Sequence, residues 1–124
     1  MNNAPRPVTP SYFAHLVETA MSTDARIADY LSHGVDYSAH ECYATADGSA
    51  GFAVSPDGDL QSVFNYGQAG RGNALVAAAI AAGATTLDCF DGFLPAFYAR
   101  HGFRVVRREA NWTVGGPDVV YMAL

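Results

Sequence analysis

Residues 60–82 read LQSVFNYGQAGRGNALVAAAIAA. An apolar run from Leu60 to Asn65 passes into Gly67-Gln68-Ala69-Gly70-Arg71-Gly72 and opens directly into an alanine-rich segment, Asn73 to Ala82, which stops at Gly83. The first piece has the composition of a strand and the last that of a helix closed by a glycine. The junction leaves the first N–H groups of the helix unpartnered at the positive end of its dipole. Such a terminus accepts phosphate: glycines let the backbone approach an anion closely, and Arg71 offers a charge-assisted hydrogen bond. The same turn also occurs simply to make a tight corner, and the spacing alone does not separate the two. It is not a Walker loop, because no lysine follows its glycines. Nor is it a dinucleotide-binding fingerprint, because the strands before it are joined by hairpins and no acidic residue ends a suitable second parallel strand.

Upstream, three strands are expected around Glu41 to Thr45, Ala50 to Val54 and Leu60 to Asn65. Ala46-Asp47-Gly48 and Ser55-Pro56-Asp57-Gly58-Asp59 separate them, and Asp-Gly between apolar runs marks a tight reversal, so the three form an antiparallel meander. Before it, Tyr12, Phe13, Leu16, Val17 and Ala20 recur at helical spacing after Ser11 as N-cap, and Ile27, Ala28 and Leu31 continue as a second short helix ending at Gly34. Residues 1–10 hold three of the six prolines and read as a flexible lead-in, ordered only if docked, with no clear first strand. Downstream, Thr85 to Phe90 is a strand, Leu94 to His101 a helix, and Phe103 to Arg108 and Val119 to Leu124 two further strands around Gly115-Gly116-Pro117. Residues 11–124 are read as one α/β domain.

Half of the 124 residues are hydrophobic and 15% are charged, which suits a packed globule and excludes a solvated, disordered chain. The net charge of −5 lacks the footprint of a phosphate-backbone binder, so nucleic acid is a disfavoured partner. No apolar stretch approaches the ~20 residues of a membrane span, and a cytoplasmic location is the expectation. Cys42 and Cys89 lie inside strand-like runs without ligand spacing and read as buried free thiols. No His, Asp or Glu spacing points to a metal.

The loop and helix, together with Phe97-Tyr98-Ala99-Arg100-His101-Gly102-Phe103, resemble the GNAT acyltransferase family over residues 40–124. That family writes its loop Gln/Arg-x-x-Gly-x-Gly/Ala; Gly70 and Gly72 occupy the glycine positions, Leu75 the apolar place on the helix, and Gly67 stands where Gln or Arg is usual, with Gln68 displaced by one. The resemblance implies a mixed, centrally splayed sheet with helices on both faces. It implies an acyl-coenzyme A donor, most simply acetyl-coenzyme A, held by Gln68, Ala69, Gly70, Arg71, Gly72 and Asn73. It implies also that the main chain of the fourth strand, at Ser62, Val63, Phe64 and Asn65, polarises the thioester carbonyl.

Tyr98 falls on the tyrosine that in this family protonates the departing thiolate, a role for which an O–H donor suits the chemistry; the same aromatics also suit plain packing. An amine acceptor needs a base, for which Glu41 and His40 are first candidates and Asp88 and Asp91 second. His15 and His101 read as surface or capping residues. Arg104, Arg107 and Arg108 read as a solvated strand, with Arg104 and Arg108 on one face. Asn111, Trp112 and Tyr121 lie where the family forms its acceptor cleft or a dimer contact, and a homodimer is one expected assembly. Two rival readings remain: a catalytically inactive GNAT-like binding or inhibitor protein, and a transferase acting on a nucleobase or a nucleic-acid-linked amine.

Overall fold

The structure is a computed structural model and describes residues 4–124. Met1 to Asn3, part of the expected lead-in, lie outside the described residues. The expectation of no clear first strand is corrected: Arg6–Val8 of the lead-in dock as a first strand, β1, paired antiparallel with Glu41–Ala44, β2. Three residues containing a proline carry no alternation to read, yet an edge position tolerates them because the proline needs no inward ladder bond.

Pro10–Thr23 form α1, capped by Thr9, whose hydroxyl accepts from the Tyr12 N–H at 3.2 Å. The cap lies two residues before the expected Ser11, because proline favours the first helical position. Phe13, Leu16, Val17, Ala20 and Met21 make the buried stripe. Ala25–Ala28 form α2, capped by Asp24, and this helix ends well short of Gly34.

Ala50–Val54 (β3) and Asp59–Asn65 (β4) complete the meander. Gly72–Ala81 form α3, Thr86–Phe90 β5, Phe93–Ala99 α4, Arg104–Glu109 β6 and Val119–Ala123 β7. The seven strands make one mixed sheet in the order β1-β2-β3-β4-β5-β7-β6. Side chains alternate across it. Ala50, Phe52 and Val54 join Leu75, Val76, Leu87, Tyr98 and Phe103 in a core under α3 and α4. Cys42, Ala44, Ala53 and Phe64 join Phe13, Leu16, Val17 and Ile27 in a second core under α1 and α2. Burial of a side chain such as Phe13 or Phe52 stabilises by roughly 1.5–3 kcal/mol, so each helix layer is held by several such anchors.

Two irregularities interrupt the regular ladder. Opposite β3, Ala53 pairs with Gln61 and Gly51 with Phe64, so β4 uses three steps where β3 uses two, which is a β-bulge. Ser62 sits in it at φ 54°, the one non-glycine with positive φ among the described residues. On its other side β4 pairs parallel with β5 only at Asp59–Thr86 and Leu60–Leu87, after which the two strands part. A second bulge, between Val105 and Arg107, corrects the arginine pattern: Arg104 lies opposite Ala123 and Arg107 opposite Tyr121, on one face, with Arg108 opposite Val120. Among the described residues no helix is long and apolar enough to cross a membrane.

Candidate functional site

Where β4 and β5 part, a cavity of about 960 Å³ passes through the sheet. On the α3/α4 face it is lined by Gly70, Gly72, Asn73, Phe97 and Tyr98; between the strands by Ser62 to Asn65; on the opposite face by Tyr30, Asp88, Phe90 and Trp112. Parted strands leave main-chain groups of β4 without a neighbour, and these are the groups free to meet a ligand.

The bulge is fixed by the loop before β2. The buried Tyr37 hydroxyl lies 2.5 Å from Ser62 Oγ, and His40 Nε2 lies 2.9 Å from Gln61 Oε1. Tyr37 is itself wedged edge-on against Phe13 and His40, with ring centroids 4.9 and 5.6 Å apart. Gln61 donates onward to Asp59, which accepts from the Thr86 hydroxyl on β5 at 2.9 Å. The two strands are thus tied together at the point just before they diverge. Tyr37 escaped sequence reasoning because its partner is 25 residues away and no motif marks it.

At the glycine loop, Asn65 shapes the backbone, accepting from the Gly67 N–H and donating to the Gln68 carbonyl. Leu75 is the first residue of α3 to find a backbone acceptor, at Arg71 O, so the N–H groups of Gly72, Asn73 and Ala74 are open, and no acidic residue occupies the first turn. A Cβ at Gly70 would meet nothing within 4 Å, whereas one at Gly72 would come 3.1 Å from the Phe97 ring. Asn73 is engaged by its side chain with His101 Nε2 at 2.9 Å.

The Arg71 side chain, expected to offer an anion a hydrogen bond, has partners within the fold. Its guanidinium donates to Ser49 Oγ at 2.6 Å and pairs with Asp47 at 3.3 Å, with only 13% of the side chain exposed. Hydrogen bonds from Thr45 and Ser49, and then from Arg71, hold the Asp47 carboxyl far below the usual carboxylate range. From sequence Asp47 is legible only as a turn residue. It is an anchor between the β2–β3 turn and the start of α3.

Tyr98 is buried at the cavity wall, in edge-on contact with Phe97 and Phe103. Desolvation, and then repulsion from Cys89, Tyr30 and Asp88 in their ionised forms, push its hydroxyl well above the ordinary tyrosine range, so it stays a proton donor. The first-choice bases do not join it. Glu41 is exposed beside a separate depression, near Pro56 and Gly83, and His40 is turned into the Gln61 contact with its Nδ1 buried and unpartnered. Among the candidates, Asp88 is the carboxylate on the cavity wall. Solvent-accessible yet partly desolvated, it is raised above the usual carboxylate range by that desolvation and then by the like charge of Asp59. Asp91 is instead paired with Arg108 at 3.0 Å, which lowers its pKa.

Burial pushes the Cys89 and Cys42 thiols up to about 11, so neither is a thiolate nucleophile at neutral pH. Among the described residues no group of His, Cys, Asp and Glu is placed to hold a metal ion.

No protein-family model matches the sequence, and no curated protein matches it. In three dimensions the chain is similar to a crystal structure from Rhodopseudomonas palustris described as "GCN5-Related N-acetyltransferase: Aminotransferase, Class-II", with TM-score 0.60 and 20% identity over 100% of this chain and 97% of that one. With its seven-stranded mixed sheet and flanking helices, this chain has the fold of a GCN5-related N-acetyltransferase.

Proposed function

We propose that the protein is an acyl-coenzyme A-dependent N-acyltransferase, acetyl-coenzyme A being the simplest donor, which moves the acyl group directly to an amine. The observation that carries this reading is the convergence on one cavity of the parted, bulged β4 and the uncapped N-terminus of α3. Bound there, the donor supplies an activated thioester.

The chain's own groups fit that donor. Open N–H groups of Gly72, Asn73 and Ala74, with the unobstructed Gly70 beside them, receive the pyrophosphate. The main chain of β4 between Ser62 and Asn65, which lines the gap, is assigned to polarise the carbonyl, a stabilisation that costs no reorganisation during reaction when the bulge is already fixed. Asp88 takes one proton from the acceptor ammonium. The neutral nitrogen then forms the new C–N bond as the C–S bond breaks. Tyr98 gives its proton to the departing sulfur and is restored by the second proton released from nitrogen. Neutral Cys42 and Cys89 agree with a route that has no acyl-enzyme.

Calorimetric titration with acetyl-coenzyme A tests the reading, with Gly72→Ala and Gly72→Glu as paired controls. Because any side chain there presses on Phe97, the alanine variant measures that crowding and the glutamate variant adds the repelling charge. Micromolar binding weakened much further by glutamate than by alanine is expected. No binding by the parent protein overturns the reading.

A further inference from the structure

The face of the cavity opposite Tyr98 has a composition of its own. β5 alternates so that Leu87 and Cys89 enter the core under α3 and α4, which sends Asp88 and Phe90 to the other side. There the Phe90 ring lies 6.5 Å from that of Trp112, tilted by 56°. Trp112 is 81% exposed and Tyr30, from the segment after α2, is 42% exposed, though both line the cavity. A large aromatic left open at the wall of a cavity loses apolar burial that a ligand restores. On this side Asp29 and Asp88 line the cavity, while Arg107, on the same sheet face, stacks over the Tyr121 ring and pairs with Glu109. Asp88 forms no ion pair among the described residues, and Arg26, the cation on this wall, is held by Asp24 at 3.2 Å. Arg100 also lines the cavity, from the end of α4 on the opposite face. A carboxylate without an ion-pair partner, on the same cavity wall as three aromatic rings, suits a cation attached to a flat apolar body, since ring faces attract both.

From this juxtaposition we infer that the acceptor is a small primary amine bearing an aromatic or similarly flat apolar group, its ammonium on Asp88 and its apolar body against Phe90, Trp112 and Tyr30. The inference rests on the acyltransferase reading for what happens to the amine, but not for its binding.

Trp112 is the one tryptophan of the sequence, so its fluorescence reports occupancy without turnover. The probes are 2-phenylethylamine, 2-phenylethanol, ethylamine and spermidine, each titrated with and without saturating coenzyme A. A saturable change with 2-phenylethylamine is expected, at an affinity at least tenfold above each of the other three. Asp88→Asn is expected to weaken 2-phenylethylamine at least tenfold while leaving 2-phenylethanol unchanged. Trp112→Ala, followed by calorimetry, is expected to weaken the amine with unfolding unaltered, as the side chain is exposed. Equal affinity for the alcohol, tighter binding of ethylamine or spermidine, or an indifferent Asp88→Asn overturns the inference. Because amine binding is read without an acyl donor, failure of coenzyme A to bind removes the acyltransferase reading and leaves this test standing.

Discussion

Ser62 offers a prediction whose sign is unusual. In an ordinary strand, glycine is less stable than alanine by about 0.5–1 kcal/mol, because it loses more backbone entropy on folding. At φ 54° a side chain is in the left-handed region, which costs a non-glycine residue roughly 1–2 kcal/mol. Both Ser62→Ala and Ser62→Gly remove the 2.5 Å contact with Tyr37 and strand the same buried hydroxyl, a shared cost of about 1–3 kcal/mol. That shared cost cancels between the two variants. Ser62→Gly is therefore expected to be the more stable by up to about 1.5 kcal/mol, the difference between the two backbone figures, although both fall below the parent. For a chain of 124 residues each 1 kcal/mol moves Tm by about 3–5 °C, so thermal and urea unfolding resolve the order. Tyr37→Phe completes the set: combined with Ser62→Ala it should cost clearly less than the sum of the two, with a coupling of at least about 0.5 kcal/mol. Alanine equal to or more stable than glycine, or strict additivity, refutes the description of β4 as a strand held in a strained bulge by Tyr37.

Tyr98→Phe should lower kcat by about 10²- to 10⁴-fold with acetyl-coenzyme A affinity preserved in calorimetry; equal loss of both marks the residue as packing. For Asp88, whose folded pKa is raised, the base is active as the carboxylate, so kcat/KM should fall as pH drops through that raised value, and Asp88→Asn should abolish this limb. The same shift means that the folded state binds the proton more tightly than the unfolded one, so ionising Asp88 opposes folding. Asp88→Asn is accordingly expected to be at least as stable as the parent at neutral pH, with the gap opening as pH rises above 3.8; a clear loss of stability contradicts this. Asp47 has the opposite sign, since its folded pKa is depressed: its contribution is full above 3.8 and disappears as pH falls through the folded value. Asp47→Asn should unfold more easily at neutral pH and converge with the parent in acid, as followed by circular dichroism.

The elements that sequence reasoning located are those held by local rules. Alternation placed β2, β3 and β4, Asp-Gly pairs placed the turns between them, and the glycine loop before the alanine run placed the start of α3 within a residue. Tyr98, Gly70, Gly72 and Asn73, singled out through short motifs, line the cavity, whereas Gln68, Ala69 and Arg71 are not among its lining residues. What sequence reasoning did not show depends on partners far along the chain. β1 exists because β2 offers it an edge, and Arg71 is drawn to Asp47 and Ser49 more than twenty residues away. Glu41 and His40, the first candidate bases from the start of the first hairpin strand, lie outside the cavity lining, and β5 presents Asp88 to it. Strict alternation misplaced Arg107, because a bulge adds one residue and reverses which face the residues beyond it take.

The sequence by itself therefore determined the order of the elements after β1, the meander and the start of α3 with its unpartnered N–H groups, because these follow from side-chain period, turn chemistry and helix ends. Only the tertiary structure decided where β4 leaves β5, which carboxylate enters the gap, and that Tyr37 pins the bulge. Those features arise from contacts between residues distant in sequence, which form only when the sheet and both helix layers are assembled.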